Sequence, residues 1–392
     1  MKIVNIAENE KFINNMISLF DDLECENISF EFYIIVKEYN NVFFDCNKTN
    51  KKIRFFNNEE ELIDAVNKNN FDYCILHSIF FMNMHVLNKL KPKIIATTWG
   101  YDIYSDKAEP IIHINKLISM HLYKPLTKKL YGLESRPLKE KIDCYYQRFK
   151  YFITGAQHDY NKLVHKIKYI STILPNEYTI ISNKLKKIKY FPFKYIVKND
   201  TKKVFKENKI LNNNILLGNS ADPANNHLDI LKILNENFLN YNVYIPLSYP
   251  NWEQHIFYKN KLKNYVKNNF KNINVIYLDN YIERSEYFKI IDNCSIAIYG
   301  YLNQAAIGNI FEMLRTGKKI FLYNDSIIYK YLKNYTSIFT IDNDLLNNEA
   351  SSLLTYDNQL KNFNFTQTFE NYTNNLNELK SFFLTLADDY KT

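Results

Sequence analysis

Glycine and proline are scarce, 7 and 9 residues in a chain of 392. No GxxxxGKS/T and no GxGxxG occurs, so neither familiar fingerprint of phosphate or dinucleotide binding is present. The five cysteines (Cys25, Cys46, Cys74, Cys144 and Cys294) are scattered and never form a CxxC pair, which argues against a disulfide framework and a structural zinc site. No window approaches the roughly 18 apolar residues that a membrane span needs. The opening MKIVNI reads as a strand rather than the apolar core of a signal peptide, and the expected location is the cytoplasm. What remains, at 46% hydrophobic residues, is a globular protein long enough for two domains.

The net charge is +8. Residues 113–150 carry nine Lys and Arg against three acidic residues (Glu134, Glu140 and Asp143), a local net of +6. Leu117, Ile118, Leu122, Leu126 and Leu130 share that stretch at mixed helical spacing. A basic, apolar-studded helix suits an anionic membrane surface, with Lys124, Lys128 and Lys129 as its candidate contacts; a solvated helix pair in a lysine-rich chain fits equally. No nucleic-acid signature accompanies the charge, and no nucleic-acid partner is expected.

Strand-like and helix-like segments alternate. Strands are expected at 3–7, 30–36, 53–56, 71–77, 93–98 and 151–155, then at 215–217, 243–245, 275–277, 295–299 and 319–323. This order predicts parallel sheets with helices on both faces. The fold class is α/β, with two doubly wound Rossmann-like domains facing a cleft, the GT-B arrangement of nucleotide-sugar glycosyltransferases. The expected boundaries are 1–190, a linker at 191–212, a second domain at 213–350 and a helical tail at 351–392 packing back toward the first.

Between the strand-like Asn214-Ile215-Leu216-Leu217 and a helical pattern from Leu228 lies Gly218-Asn219-Ser220-Ala221-Asp222-Pro223-Ala224-Asn225-Asn226-His227. A loop at a strand's carboxyl end, opening a helix, presents N–H groups to an anion, and phosphate is the natural guest. The bland alternative is a βα connection in which Asp222 or Asn225 caps the helix.

Four stretches in order resemble the TDP-N-acetylfucosamine:lipid II N-acetylfucosaminyltransferases, glycosyltransferase family 56. Trp99-Gly100-Tyr101-Asp102-Ile103-Tyr104 is similar to the family's WGxDLY. Gly218–Asp222 with Asn225 and His227 resembles GNSGDxxNxH, Ile245-Pro246-Leu247-Ser248-Tyr249-Pro250 resembles VPMGYP, and Gln304-Ala305-Ala306-Ile307-Gly308-Asn309 resembles QQGIGT. Asn303 and Ala306 stand where the family pattern has arginine and glycine, and Ala221 and Ser248 each replace a glycine. The resemblance implies transfer of a deoxy- or amino-sugar from a TDP- or UDP-sugar to a polyprenyl-diphosphate-linked saccharide. It also implies a place in surface-polysaccharide synthesis of the enterobacterial common antigen kind, peripheral on the inner face of the bacterial inner membrane. The competing readings are a nucleotide-sugar epimerase of the same fold and a non-catalytic nucleotide-binding scaffold.

Such transfer needs a stabilised leaving diphosphate and a deprotonated acceptor hydroxyl. Helix N-termini rather than a metal ion or cofactor are expected to serve the diphosphate, and no DxD stands at a strand end. The candidate donor-binding residues are Gly218, Asn219, Ser220, Asp222, His227, Tyr249, Gln304, Ile307, Gly308, Asn309 and Glu312. Glu312 is assigned to the ribose, or to a simple first-turn charge; Tyr249 to the nucleobase, or to a plain turn; His227 to the phosphate, or to internal packing. The candidate catalytic residues are Asp102 and His77, each following a first-domain strand. Asp102 is a base or acceptor ligand unless it merely caps its turn, and His77 could instead be a satisfied core histidine.

Overall fold

The computed structural model describes residues 1–10, 12–36, 49, 51–79, 81–104, 122–131, 138, 142, 146, 156–196, 204–210, 212–250, 253–347 and 352–391. The strand expected at 151–155 and most of the basic stretch 113–150 lie outside the described residues. The chain divides into two compact units. Unit 1 is Met1–Ile118, Gln147–Lys202 and Glu370–Thr392; unit 2 is Ser119–Tyr146 and Lys203–Phe369.

Unit 1 is built on a seven-stranded sheet: β1 (Lys2–Glu8), β2 (Ser29–Ile35), β3 (Lys52–Phe56), β4 (Tyr73–His77), β5 (Lys93–Thr97), β6 (Ile167–Ser171) and β7 (Lys189–Tyr190). All ladders are parallel, in the order β3-β2-β1-β4-β5-β6-β7. Runs such as Ile3–Ala7 and the whole of β4 are buried, as a sheet covered on both faces requires. β6 escapes the apolar-run criterion because Lys168 and Tyr169 interrupt it. Phe191 and Phe193, expected in the linker, are instead fully buried in this unit's core, where each contributes about 1.5–3 kcal/mol of burial. The helix Tyr372–Lys391 adds Leu379, Phe383 and Leu386 to the same core, and the Tyr372 hydroxyl donates to Asp22 Oδ2 (2.7 Å).

Unit 2 repeats the plan with β8 (Asn214–Leu217), β9 (Asn242–Pro246), β10 (Asn274–Leu278), β11 (Ile296–Tyr299), β12 (Lys319–Leu322) and β13 (Phe339–Thr340), in the parallel order β10-β9-β8-β11-β12-β13. An asparagine ladder ties the strand starts together: Asn242 donates to Asn214 Oδ1 and Asn274 to Asn242 Oδ1, each at 2.9 Å. The helix Pro125–Tyr131 stands far upstream in sequence but belongs here. Its Tyr131 is buried in the core formed by Leu217, Leu231 and Tyr258, with Leu126 and Leu130 packed against it. The helix Tyr356–Phe369 also lies in unit 2, where Phe369 and Phe365 meet Phe311 of the helix Ile307–Arg315 edge-on.

In both sheets the chain order reverses between the first strand and the fourth, β1/β4 and β8/β11. α/β sheets bind ligands outside the carboxyl ends of strands at such a point.

Candidate functional site

In unit 2 the loops after β8 and β11 meet at the switch point. Gly218 takes φ +70°, and its N–H donates to the Ile298 carbonyl (2.8 Å). A β-carbon there would stand 2.7 Å from Asn225 Oδ1 and 2.8 Å from His227 Nε2, so both dihedral and space demand glycine. Tyr301, just after β11, reaches across: its hydroxyl lies 3.0 Å from Ser220 Oγ and accepts from Asn225 Nδ2 at 2.9 Å. Asp222 caps the 3-10 turn Pro223–Asn225 through the Ala224 N–H (2.9 Å). The Ala221 N–H donates to the Tyr249 carbonyl (2.6 Å), joining the loop after β9, while the Tyr249 side chain is left 70% exposed.

Asn226, at φ +52°, is the hub. Its amide donates to the carbonyls of Leu122 (3.0 Å), Ala224 (3.0 Å) and Gly300 (2.7 Å), and its oxygen accepts the Lys124 N–H (2.7 Å).

His227 opens the helix His227–Asn237 but is fully buried. Its Nδ1 pairs with the Tyr258 hydroxyl (2.9 Å), Nε2 has no partner, and burial pushes its pKa down to about 3. The ring is neutral and lies under the Gly218 turn. It braces the loop from within, the internal packing that is the alternative to a donor contact, and carries no charge for a phosphate.

The loop after β11 ends at Ala306, φ +57°, with no side chain capping the helix Ile307–Arg315. The first N–H groups of that helix, at Ile307, Gly308 and Asn309, therefore lack intrahelical partners. Among the described residues, no atom beyond the glycine's chain neighbours and its own helix backbone lies within 4 Å of where a β-carbon on Gly308 would stand, so the first turn is open at this residue. Gln304 is buried beside it, and Asn303 Oδ1 and Asn219 Oδ1 are buried without partners among the described residues. Asn309 turns its amide nitrogen toward the Tyr287 hydroxyl (3.1 Å). Glu312 pairs with Arg315 on the same helix and remains partly exposed.

The three lysines separate. Lys128 and Lys129 are exposed. Lys124 is tucked in: its ammonium lies 4.1 Å above the Tyr323 ring and 3.5 Å from Asp325 Oδ2, which corrects its reading as a free surface charge.

In unit 1 the carboxyl edge gathers His77, Ser78, Trp99 and Asp102. His77 is buried between neighbours on three sides. Its Nε2 lies 2.9 Å from Asn5 Oδ1 and its Nδ1 2.8 Å from the Tyr195 hydroxyl. The Asn5 amide donates to the Glu31 carbonyl (3.5 Å), so its oxygen faces the ring; Nε2 carries the proton and Nδ1 accepts. Burial pushes the pKa down to about 3. Both nitrogens are used, and His77 is a core histidine rather than a base.

Asp102, in the helix Gly100–Tyr104, is also fully buried. Oδ1 accepts from Ser78 Oγ (2.7 Å) and the Ile79 N–H (2.9 Å), and Oδ2 accepts from the Trp99 N–H (2.8 Å). Three donors occupy both oxygens of this buried carboxylate and leave it poorly placed to take a proton from a ligand. Among the described residues, Glu8, the last residue of β1, and Glu10 just beyond it are partly exposed carboxylates on this edge. Sequence reasoning passed over both; an acid closing the first strand was the available signal. Trp99 is half-exposed and stacks on Tyr195, with ring centroids 4.5 Å apart.

Three solved structures share the architecture. HepE of Anabaena, in complex with UDP and glucose, is 8% identical with a TM-score of 0.55, over 99% of this chain and 100% of that one. The apo form of the lipopolysaccharide outer core galactosyltransferase WaaB is 11% identical with a TM-score of 0.51, over 96% and 99%. Sucrose-phosphate synthase from Thermosynechococcus elongatus is 9% identical with a TM-score of 0.51, over 100% and 98%. At such identities the likeness establishes the fold, two Rossmann-like domains of the GT-B type. No helix among the described residues is long and apolar enough to cross a membrane. The family model for 4-alpha-L-fucosyltransferase glycosyl transferase group 56 matches residues 166–379, more than half of the chain and including the loops after β8, β9 and β11. The chain is a member of that family, a glycosyltransferase of group 56.

Proposed function

We propose that this glycosyltransferase moves a deoxy- or amino-sugar from a TDP- or UDP-sugar, bound by unit 2, to a lipid-linked saccharide received by unit 1. The observation that carries the donor half is the uncapped, open N-terminus of the helix Ile307–Arg315 beside the Gly218–Ser220 turn. The N–H groups of Ile307, Gly308 and Asn309, together with the helix dipole, stabilise the charge that develops on the leaving diphosphate. This supplies the charge stabilisation without a metal ion. Gly218 lets the backbone come close, Ser220 and Asp222 hold the turn, and Gln304 lies beside the phosphates. The exposed Tyr249 ring stacks on the base, and Glu312 accepts from the ribose hydroxyls. HepE, with the same fold, holds UDP, which supports a nucleotide-sugar donor.

On the acceptor side, one of the half-exposed carboxylates Glu8 and Glu10 takes the hydroxyl proton, and Asp102 organises the loops around it. WaaB, of the same fold, is named for action on a lipopolysaccharide core, which supports a lipid-borne saccharide acceptor. Lys128 and Lys129 are the side chains for an anionic membrane surface, consistent with a peripheral enzyme on the inner face of the bacterial inner membrane.

The test is a thermal-shift series with TDP, UDP, GDP and CMP, each with and without EDTA. Stabilisation by TDP or UDP that survives EDTA is expected, because a ligand of the native state raises its melting point. No shift with any nucleotide would leave the scaffold reading in its place, and release of an epimer from donor alone would point to an epimerase.

A further inference from the structure

Ser78 has φ +92°, a backbone conformation that favours glycine. The fold holds it there. Its N–H donates to the Thr97 carbonyl (3.0 Å), and its hydroxyl donates to the buried Asp102 Oδ1 (2.7 Å). The same carboxylate takes the Ile79 and Trp99 N–H groups, so the segments after β4 and β5 are pinned to one buried charge.

A strained serine kept where glycine fits better implies that the hydroxyl itself is used. Its only proton is committed to Asp102, so Oγ presents lone pairs alone, and the residue is half-exposed. Ser78 therefore accepts hydrogen bonds and cannot donate one outward. It lies at the carboxyl end of β4, two residues beyond the Ile6↔Leu76 pairing with β1, level with the half-exposed Glu8 across the switch point. The half-exposed Trp99 adjoins it through Asp102. A group rich in O–H donors, with C–H faces to lay on an indole, matches this set: a sugar ring.

We propose that Ser78 Oγ accepts a hydrogen bond from a hydroxyl of the acceptor sugar beside Trp99, with Asp102 as the positioning residue that fixes the serine rotamer and proton. This rests on the reading of unit 1 as the acceptor side, and the test separates the two.

The full chain is compared with Ser78→Ala, Ser78→Gly and Asp102→Asn. Three quantities are read: nucleotide affinity for UDP and TDP by calorimetry, melting temperature, and KM for undecaprenyl-diphosphate N-acetylglucosamine in detergent micelles. Binding of that probe is also followed by Trp99 fluorescence in a Trp252→Phe background. Ser78→Gly and Ser78→Ala lose the same hydrogen bond to the buried Asp102, and glycine takes φ +92° freely, so Ser78→Gly is expected to melt below wild type but no lower than Ser78→Ala, while KM for the probe rises about tenfold or more and nucleotide affinity stays within about twofold. Ser78→Ala is expected to raise KM similarly, and Asp102→Asn to raise KM more than it lowers kcat. Wild-type KM in both serine variants would overturn the proposal. A wild-type protein that binds nucleotide but shows neither transfer to the probe nor a Trp99 signal would instead overturn the reading of unit 1 as the acceptor side, and the proposal with it. A protein that binds no nucleotide would sink the donor reading instead.

Discussion

Gly300 and Asn225 approach so closely that a β-carbon on the glycine would overlap the Asn225 carbonyl oxygen. The carbonyl belongs to backbone pinned by the Asn225 bond to Tyr301 and by the Asn226 bond to the Gly300 carbonyl, so it has no room to yield. Gly300→Ala is therefore expected to cost on the order of 3 kcal/mol or more and to lower Tm by about 6 °C or more. Circular dichroism on heating checks this, and an unchanged melting curve would mean the two loops are not locked together.

Gly308 is the opposite case. Its surroundings are open, and a side chain at the second position of a helix replaces the least helix-favouring residue after proline. Gly308→Val is expected to leave the melting temperature of the nucleotide-free protein within about 2 °C of wild type. The same substitution covers the N–H groups proposed for the diphosphate, so Kd for TDP or UDP is expected to rise about tenfold or more. A variant that binds nucleotide normally would move the donor away from this helix.

The two sheets were legible because every strand except the short edge pieces and β6 is a nearly continuous apolar run, the pattern of a parallel sheet buried on both faces. β6 failed that test through Lys168 and Tyr169. The helix Pro125–Tyr131 looked like part of the first half because proximity in sequence was the only guide; its place in unit 2 depends on Asn226 and Asp229, a hundred residues away. In the site, Gly218, Ala306 and Gly308 were legible as a polar turn and a helix start after apolar strands. The roles of Asp102, His77 and His227 were not, because no spacing reveals how many donors a carboxylate will meet or whether both nitrogens of a ring are used. His77-Ser78 was a faint echo of the family pattern, but the strain at Ser78 was not legible, since a strained φ arises only when distant segments over-determine it.

Removing the acid that takes the acceptor proton should slow chemistry more than it weakens binding. Glu8→Gln and Glu10→Gln are both isosteric and partly exposed, and one of them is expected to lower kcat by about 10²- to 10⁴-fold with nucleotide Kd unchanged. Steady-state kinetics at saturating donor read the difference. If both variants turn over normally, the proton leaves by another route.

Asp229 accepts the N–H groups of Leu126 (2.7 Å) and Thr127 (2.8 Å), capping the helix Pro125–Tyr131 from a neighbouring helix. Asp229→Ala leaves two partly buried donors unmet, a loss of about 1–3 kcal/mol for each that stays dry. Limited proteolysis is expected to cut between residues 122 and 131 before unit 2 unfolds, whereas wild type resists. Equal protection in both would show that the apolar contacts of Leu126, Leu130 and Tyr131 suffice to hold the helix.

The buried titratable groups push stability in opposite directions as pH changes. His77 and His227 have pKa values held down at about 3 by burial, against about 6.5 unfolded. Below pH 6.5 the unfolded chain binds protons that the folded protein refuses. The stability that neutral histidine contributes is thus complete above pH 6.5 and is lost as pH falls toward 3, by a few kcal/mol at each site. Glu177 behaves in reverse. Burial raises its pKa to about 7 even though the Leu174 N–H (2.9 Å) and the Tyr104 hydroxyl (2.9 Å) favour its charged form. It holds a proton that the unfolded chain gives up near pH 4.5, so its contribution is present at low pH and disappears as pH rises through 7, a change of about 3 kcal/mol. Two variants separate the effects by urea unfolding across pH 4 to 8. His77→Gln is expected to be less stable than wild type at pH 8 but to lose less on acidification. Glu177→Gln keeps an oxygen for Leu174 and an amide for Tyr104, and its stability relative to wild type is expected to grow from pH 5 to pH 8. Parallel profiles for all three proteins would mean that neither side chain changes its proton binding on folding.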